Sequence, residues 1–291
     1  MSQHKINHDA TYEGGMIARR TLIQVGISLA AVVTRSGTGL AQNHRNVALT
    51  SSGKSLSTVK ALFFDVFGTL VDWRTGVARE AEALLKPRGI SLDWLAFADA
   101  WRAEYMPTTE GVRSGRVPYV KLDVLERQML DKILPRFGVK TLPEVTKAQL
   151  NLAWHRLDGW PDVKAGLARL SRRFRLAPVS NGNISLIADI ASRNGWRWDA
   201  ILGADIAHDY KPKADVYLAA ADAFDLSPSS CMMVAAHSID LVNGGASAAG
   251  LRTAFIARPD ENGVAKGADR LVGKVDISAS TLTDLADQLG V

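Results

Sequence analysis

Short apolar runs that alternate with helical patterns are the feature that most constrains the fold of this chain. The runs typical of β-strands cover 59–64, 174–180, 198–204, 231–236 and 252–257. The helical patterns among the later runs cover 161–172, 183–194, 213–224 and 239–249. Because this alternation favours a parallel sheet with helices on both faces, we predict a Rossmann-like, three-layer α/β fold. The runs are apolar throughout, as expected for strands buried on two sides.

The interval 73–155 interrupts the alternation. It contains amphipathic helical stretches and no run that is typical of a strand. An all-helical block between the first and second strands of an α/β domain indicates an inserted cap. We therefore predict a core domain made of residues 59–72 and 156–291, with residues 73–155 forming an α-helical cap.

The N-terminal segment has the layout of an export signal. A basic pair, Arg19 and Arg20, precedes a nearly uncharged stretch, and small residues suited to cleavage end at Ala41. The apolar stretch, about 14 residues long, is too short to span a bilayer of about 30 Å. We predict a twin-arginine type signal at 1–41, a flexible leader at 42–58 and a periplasmic location. An uncleaved anchor and a cytoplasmic protein with a mis-assigned start codon remain alternatives.

Charge and cysteine content limit the possible partners. The formal charge of +5 comes from scattered Lys and Arg, so no nucleic-acid surface is indicated, whereas a small anionic substrate is compatible. The single cysteine, Cys231, excludes an intrachain disulfide and lies in an apolar run, which predicts a buried core residue. We expect no stable membrane anchor, and a homodimer is possible. The "GKS" at 53–55 is no phosphate loop, because Ala48 replaces the required glycine and no strand precedes it.

Polar side chains follow four of the predicted strands. In open α/β sheets, ligands bind at the carboxyl ends of the strands. The residues found there, in chain order, are Asp65 with Gly68 and Thr69, Ser180 with Asn181, Lys211, and His237 with Asp240. One edge of the sheet is thereby predicted to collect carboxylates, a hydroxyl and a cation.

The segments that carry these residues are "FDVFGTLVD", "VSNGN", "YKPKADVY" and "AAHSIDL". In order and spacing they resemble the four motifs of the haloacid dehalogenase superfamily, over roughly residues 59–260, and a cap after the first motif also matches. In the phosphatases of that family, a second aspartate two residues after the nucleophile protonates the leaving group. Phe67 stands there and cannot donate a proton. An apolar aromatic at this position resembles the 2-haloacid dehalogenase branch.

The resemblance implies a hydrolase acting on short 2-haloalkanoic acids through an aspartyl ester, giving 2-hydroxy acids and halide. Asp65 is then the nucleophile, and Lys211 keeps it ionised. Asp240 pairs with Lys211 and orients or activates water. No cofactor or metal is expected for this reaction.

The resemblance also implies residues that bind the substrate. Its carboxylate is assigned to Ser180 and Asn181, with Thr69 and backbone N–H groups near the first turn. Phe67 forms part of an apolar wall.

A cap arginine receives the halide in the family. We favour Arg113, with Arg102 and Arg116 as alternatives, and we expect Trp73 and Tyr105 to line the pocket.

Two residues of the fourth motif depart from the dehalogenases that this chain resembles. Those enzymes have Ser and Asn where this chain has Ala235 and His237. His237 could orient water in place of Asn or act as a base, since its ordinary pKa lies near neutrality. Two other functions stay open. One is a Mg²⁺-dependent phosphatase or phosphotransferase, with the cation between Asp65 and Asp240. The other is a catalytically weak anion-binding protein.

Overall fold

The computed structural model describes residues 56–242, 244–263 and 270–291. The predicted export signal and the leader up to residue 55 lie outside these residues. The last three leader residues, Leu56–Thr58, form a 3₁₀ turn. Within the described ranges, no helix has the length and apolar character that a membrane crossing requires.

A six-stranded sheet forms the centre of the fold. Its strands are β1 (Ala61–Phe64), β2 (Arg175–Ser180), β3 (Leu202–Gly203), β4 (Cys231–Ala235), β5 (Arg252–Ile256) and β6 (Ile277–Ala279). They lie in the order β3-β2-β1-β4-β5-β6, and every neighbouring pair is parallel. This confirms the predicted parallel α/β sheet. All carboxyl ends therefore lie along one edge, with β1 between β2 and β4.

Helices cover the sheet and fill the long connection after β1. Between β1 and β2 lie α1 (Trp73–Leu85), α2 (Trp94–Ala103), α3 (Tyr105–Arg113), α4 (Leu122–Ile133), α5 (Glu144–Asn151) and, nearest β2, α6 (Val163–Leu170). The later helices are α7 (Ile184–Asn194), α8 (Ala204–Ala207), α9 (Ala214–Asp222), α10 (Ser238–Leu241) and α11 (Leu282–Gln288). Further 3₁₀ turns occupy Lys86–Arg88, Leu134–Phe137, Leu152–His155 and Pro228–Ser230. Residues 73–155 are helical and contain no strand, as the pattern predicts; their status as a separate domain stays a prediction.

Two apolar layers enclose the sheet. Successive side chains of a strand point to opposite faces, and accordingly Leu62 and Phe64 join one buried cluster while Ala61 and Phe63 join another. The first cluster includes residues of α1, α6, α7 and α11, and the second includes residues of α9. Cys231 is buried in the second cluster, as predicted. Burial on both faces explains why most strand residues are apolar.

The helix predicted at 239–249 is wrong beyond its first turn. α10 ends at Leu241, and the described residues after it form turns. Two glycines explain the break. Gly244 has a φ of +111°, and a Cβ on Gly245 would lie 2.5 Å from the carbonyl oxygen of Asp240. The chain turns here because glycine permits a backbone path that other residues do not.

The edge strands also differ from the prediction. The run at 198–204 contributes only Leu202–Gly203 to β3. β6 and α11 follow the last predicted strand and were not predicted. Each is short, and β6 has an exposed Ser278 between two buried residues. Three residues with one polar position give too little pattern to predict a strand.

Candidate active site

Asp65 lies directly after β1, at the centre of the carboxyl edge. Its backbone N–H donates to the carbonyl oxygen of Val234 in β4 at 3.0 Å, which fixes the start of the loop. Gly68 then reverses the chain with a φ of +83°, so that Thr69 returns to the carboxylate. The Thr69 hydroxyl donates to Oδ2 of Asp65 at 2.7 Å and accepts from the backbone N–H of Ala236 at 2.8 Å. The carboxylate is thus held by its own turn.

Lys211 joins the two buried carboxylates of the site. Its Nζ lies 2.8 Å from Oδ1 of Asp65 and 2.8 Å from Oδ2 of Asp240. Burial opposes the charge of Lys211, but the two carboxylates outweigh it and raise the pKa of the ammonium above its ordinary value. Burial likewise opposes the charge of Asp65, but Lys211 and His237 hold the pKa of its carboxyl well below its usual range. Asp65 is therefore an anion, as a carboxylate nucleophile must be.

His237 bridges Asp65 to a second acid. Its Nδ1 lies 3.3 Å from Oδ2 of Asp65, and its Nε2 lies 2.9 and 3.0 Å from the two oxygens of Glu261. Burial disfavours a charged ring, but the hydrogen bonds to Asp65 and Glu261 prevail and raise the pKa of His237 to about 10. With both carboxylates ionised, the ring is an imidazolium.

Glu261 is the site residue that sequence reasoning missed. It lies in the loop after β5, at the same edge of the sheet as the other site residues, and its side chain is buried. Its Oε1 accepts from Nε1 of Trp73 at 3.1 Å. A signal was present: the strand-end argument, applied to the fifth predicted strand, points to the acids of "RPDENG", Asp260 and Glu261.

A cavity of about 320 Å³ opens beside Asp65. The core contributes Phe67, Asn181, Lys211, Pro212, His237, Ile239 and Asp240, and the helical segment contributes Arg102, Ala103, Tyr105, Met106 and Arg113. Asp65 thus faces a small space that is bounded on one side by the helices that follow β1. Its wall is partly apolar, and its polar part combines basic side chains with the carboxylates of Asp65 and Asp240 and the amide of Asn181.

Two of the three candidate arginines, Arg102 and Arg113, line this cavity, but they make different contacts. The guanidinium of Arg102 lies 4.4 Å from the ring centroid of Tyr105 and 5.6 Å from that of Trp73. Arg113 instead forms an ion pair with Glu110 at 2.9 Å on its own helix. Arg116 is exposed and is not among the cavity residues. Because Arg113 is paired with Glu110, Arg102 is better placed than the favoured Arg113 to receive an anion.

The residues predicted to bind substrate separate into two groups. Asn181 lines the cavity, where its Nδ2 donates to the Tyr105 hydroxyl at 2.5 Å and its Oδ1 accepts from the Lys211 N–H at 2.8 Å. Thr69 and Ser180 are fully buried and are not cavity residues. The Ser180 hydroxyl accepts from the N–H of Gly182 at 3.1 Å. Both hydroxyls therefore hold the loops of the site, and their contact with substrate stays a prediction.

Of the three aromatic residues predicted to line the pocket, two line the cavity and one does not. Phe67 lines the cavity and packs edge-on against Trp154, with ring centroids 5.9 Å apart. Tyr105 lines the cavity, as expected. Trp73, which was expected there too, lies behind the wall and bonds Glu261 instead. Ala235 is fully buried at the end of β4, so no hydroxyl enters the site from that position.

The described residues contain one group of three side chains that could come together on a metal ion: Asp65, His237 and Asp240, whose ligand atoms lie within 4.8 Å of one another. The ammonium of Lys211 already bridges the two carboxylates. His237 is also positively charged at neutral pH because its pKa is raised to about 10. Two protein cations among these ligands disfavour a divalent ion by charge repulsion.

Comparison with known families agrees with this geometry. Residues 59–235, which run from β1 to the end of β4, match the model of the haloacid dehalogenase-like hydrolases. The chain belongs to this family. The matched range includes β1, the helical segment after it, β2, β3 and β4.

Individual relatives of this haloacid dehalogenase-like hydrolase indicate to which branch of the family it belongs. A solved structure of a defluorinating L-2-haloacid dehalogenase is 42% identical, has a TM-score of 0.77, and is matched over 80% of this chain and 96% of that one. The (S)-2-haloacid dehalogenase of Pseudomonas sp. strain YL is 31% identical over 203 residues, 69% of this chain and 83% of the relative. The (S)-2-haloacid dehalogenase 1 of Pseudomonas sp. strain CBS-3 is 29% identical over 222 residues, 70% and 86% of the two chains. The branch predicted from Phe67 is confirmed.

Proposed function

We propose that this hydrolase removes halide from short (S)-2-haloalkanoic acids and releases 2-hydroxy acids. The observation that carries the proposal is an ionised Asp65 facing a small cavity whose wall has Phe67 where a phosphatase has its acid. The names of the relatives supply the substrate class and the S configuration.

The first half-reaction is a displacement at carbon. A carboxylate oxygen of Asp65 forms a bond to C2 of the substrate while the carbon–halogen bond breaks, and the halide leaves with the electron pair. C2 inverts, and an aspartyl ester results. A halide needs no proton to leave, so the inability of Phe67 to donate one is no obstacle. Arg102, held over the ring of Tyr105, is the cation that we assign to the departing halide.

The second half-reaction regenerates the enzyme. Water adds to Cγ of the ester, and the bond between Cγ and the alkoxide oxygen breaks. The alkoxide takes up one proton of the water and departs as the 2-hydroxy acid, and the other proton is released to solvent as Asp65 returns to a carboxylate. Lys211, 2.8 Å from Oδ1 of Asp65, stabilises the negative charge that develops on the carboxyl oxygens. Its second contact, to Asp240, holds the ammonium in place.

The size and charge of the cavity suit a short anionic acid. Its volume of about 320 Å³ lies at the lower end of ligand pockets, which span about 300–1,000 Å³. The amide of Asn181 and the cations Arg102 and Lys211 face the same space. We assign the substrate carboxylate to Asn181 and neighbouring backbone N–H groups.

We also propose that the reaction runs without a metal or an organic cofactor. Lys211 supplies the positive charge between the two carboxylates that a divalent cation would otherwise provide. The competing phosphatase reading needs that cation, and it also needs an acid at the position of Phe67.

A halide-release screen tests the function directly. Purified protein is incubated with chloro-, bromo- and fluoroacetate and with both enantiomers of 2-chloro- and 2-bromopropionate, with and without EDTA. We expect release from the S acids that EDTA does not change, and none from an Asp65→Asn variant. Absence of halide from every acid would exclude the proposal, and an EDTA-sensitive release of phosphate from p-nitrophenyl phosphate would favour the phosphatase.

We further propose that the chain is exported by the twin-arginine route to the periplasm. The support is the Arg19–Arg20 pair, the uncharged stretch after it and the small residues at 39–41. Changing both arginines to lysine is expected to keep the precursor in the cytoplasm, which fractionation and immunoblotting measure. Processing and export that are unaffected by the change would contradict the proposal.

A homodimer is proposed on the apolar residues that the helical segment exposes. Leu95, Val117, Val124 and Val145 are each more than one third exposed. Light scattering coupled to gel filtration decides between one chain and two.

A further inference from the structure

We infer that Asp123 and His155 position the loop that carries Asn181 and thereby set how tightly the enzyme holds the carboxylate of its substrate. They act through Asn183, the last residue of the "VSNGN" segment. Both are positioning residues, since neither is among the residues that line the cavity beside Asp65. The inference rests on the proposed dehalogenase function, and it concerns the binding of substrate rather than the displacement at carbon.

Asp123 and Asn183 form two hydrogen bonds with each other. Nδ2 of Asn183 donates to Oδ2 of Asp123 at 2.9 Å, and the backbone N–H of Asp123 donates to Oδ1 of Asn183 at 3.2 Å. Asn183 is fully buried and directly precedes α7, whereas Asp123 is the second residue of α4. The pair therefore joins the start of a helix in the segment 73–155 to the start of a helix that follows β2.

His155 holds the carboxylate of Asp123 from the other side. Its Nε2 lies 3.0 Å from Oδ1 of Asp123, and its Nδ1 lies 2.7 Å from Oδ2 of Asp189 on α7. Burial disfavours a charged ring, but the hydrogen bonds to the two aspartates prevail and raise the pKa of His155 above its ordinary value. A protonated ring donates from both nitrogens. Each oxygen of Asp123 therefore has its own donor, and the carboxylate cannot rotate without losing one.

The loop between β2 and α7 is held at both ends. At its start, the Ser180 hydroxyl accepts from the N–H of Gly182 at 3.1 Å. At its end, Asn183 is held by Asp123. Asn181 lies between these two points and lines the cavity. Because a single residue separates Asn181 from Asn183, a shift of Asn183 moves the amide that we assign to the substrate carboxylate.

Both asparagines of this loop contact the helical segment 73–155. Nδ2 of Asn181 donates to the hydroxyl of Tyr105 at 2.5 Å, and Nδ2 of Asn183 donates to Asp123. Tyr105 belongs to the cavity wall, whereas Asp123 lies outside it. The contact outside the cavity thus sets where the amide of Asn181 stands relative to the wall. Small displacements of a group that positions substrate have large effects.

The main test exchanges the two side chains that meet. Asn183→Asp places a carboxylate against that of Asp123, and like charges in contact repel. The double variant Asp123→Asn/Asn183→Asp restores the pair with donor and acceptor reversed, and the carboxylate at position 183 still accepts from the backbone N–H of residue 123. The amide oxygen at position 123 still accepts from His155. The hydroxyl of Ser185, which accepts from Asn183 at 2.8 Å, donates instead.

The expected effect is on binding of the substrate carboxylate. Asn183→Asp should raise the KM for (S)-2-chloropropionate about 10-fold and change kcat less than about 3-fold, the signature of lost uniform binding. The inhibition constant of propionate, which has the same carboxylate and no halogen, should rise by the same factor. The inhibition constant of bromide, which tests the halide site alone, should stay within about 2-fold. The double variant should return all four constants to the wild-type values.

His155→Leu tests the other half of the network. The change keeps a similar volume and removes the donors to Asp123 and Asp189. The KM and the propionate constant should rise together, but less than in Asn183→Asp, because the hydrogen bonds between Asp123 and Asn183 remain. Bromide inhibition should again be unchanged.

The matched control is Asp131→Asn, on the same helix as Asp123. The side chain of Asp131 is 43% exposed and pairs with Arg127 and Lys147 at the surface. None of these residues contacts the loop that carries Asn181, so both inhibition constants should stay at their wild-type values.

The outcomes separate this inference from the function on which it rests. Wild-type protein that releases no halide would remove both. Active wild-type protein, with a folded Asn183→Asp variant whose propionate constant is unchanged or is not restored in the double variant, would overturn the positioning role alone. Equal losses of propionate and bromide binding would show a general disturbance of the cavity and would also contradict it. If Asn183→Asp does not fold, Asn183→Ala replaces it, and the same comparison of the two inhibitors decides.

Discussion

Nζ of Lys211 lies 2.8 Å from Oδ1 of Asp65, in a site where both side chains are almost fully buried. Asp240 is held at the same distance on the other side. A cation shared by two buried carboxylates makes both the activity and the stability of the protein depend on one ammonium group. Five predictions concern this network and the cavity beside it.

Lys211→Met should abolish halide release and destabilise the protein. Removing one partner of a buried ion pair typically costs about 3–5 kcal/mol, because the remaining charge is left without a partner. Urea unfolding at pH 7 measures the loss. Lys213→Met is the control: its ammonium pairs with Asp209 and its side chain is 41% exposed, and such surface pairs are worth about 0–1 kcal/mol. Equal losses in the two variants would contradict the role of the buried network.

Asp65 should acquire oxygen from solvent. In H₂¹⁸O, with enzyme in excess over substrate, hydrolysis at Cγ places the heavy oxygen on the carboxylate of Asp65 rather than in the product. Mass spectrometry of the peptide that contains Asp65 measures it, and Asp65→Asn should release no halide. Label found in the 2-hydroxy acid and absent from the peptide would rule out the covalent route.

Phe67→Asp should reduce halide release at least 10-fold and lower the melting temperature. The change places a carboxylate at a position that is 5% exposed and packed against Trp154, where an unpaired charge is costly. Phe67→Tyr is the matched control, because it keeps the ring. Halide assays and thermal unfolding compare the two, and an Asp variant as active as the Tyr variant would show that the apolar wall is unnecessary.

Arg102→Met should lower kcat/KM on the order of 10²-fold, as expected when one group that stabilises developing charge is lost. Arg113→Met should cost less than about 10-fold, because Arg113 is already paired with Glu110. Steady-state halide assays with (S)-2-chloropropionate measure both. A larger loss of kcat/KM in Arg113→Met than in Arg102→Met would assign halide binding to Arg113 instead.

The stability of the protein should fall as the pH rises from about 6.5 to about 10. The pKa of His237 is raised to about 10 in the folded state, against about 6.5 in an unfolded chain. Its contribution is therefore fully present below pH 6.5 and is lost as the pH passes through the folded value. Asp65 and Glu261 have lowered pKa values and stay ionised in this window, and Lys211 titrates above it. Urea unfolding at pH 6, 8 and 10 measures the slope, which His237→Asn should flatten.

The sequence alone was sufficient to predict the parallel sheet and most of the site. Strands buried on both faces must be apolar, so β1, β2, β4 and β5 stand out against the helices between them. Because parallel strands end at one edge, Asp65, Asn181, Lys211 and Asp240 could be expected to meet there, and they do. Short edge elements such as β6 carry too little pattern to be recognised.

The contacts of each site side chain could be determined only from the tertiary structure. The sequence offered three cap arginines and favoured Arg113, but a helical pattern shows no contact across an insertion. Only the packing reveals that Arg113 is paired along its own helix and that Arg102 lies on aromatic rings. In the same way, only the packing shows that the hydroxyls of Thr69 and Ser180 are turned inward to hold loops.

The order of residues along the chain determined which chemical groups lie at the carboxyl edge. The apolar pattern of a buried strand is local, so the residue that follows each strand can be identified from the sequence. It did not determine their partners. His237 and Glu261 are 24 residues apart and meet at 2.9 Å because two neighbouring parallel strands end side by side, and that proximity sets the charge of the ring. Pairing between distant residues depends on the folded geometry, and so protonation at this site was decided by the tertiary structure.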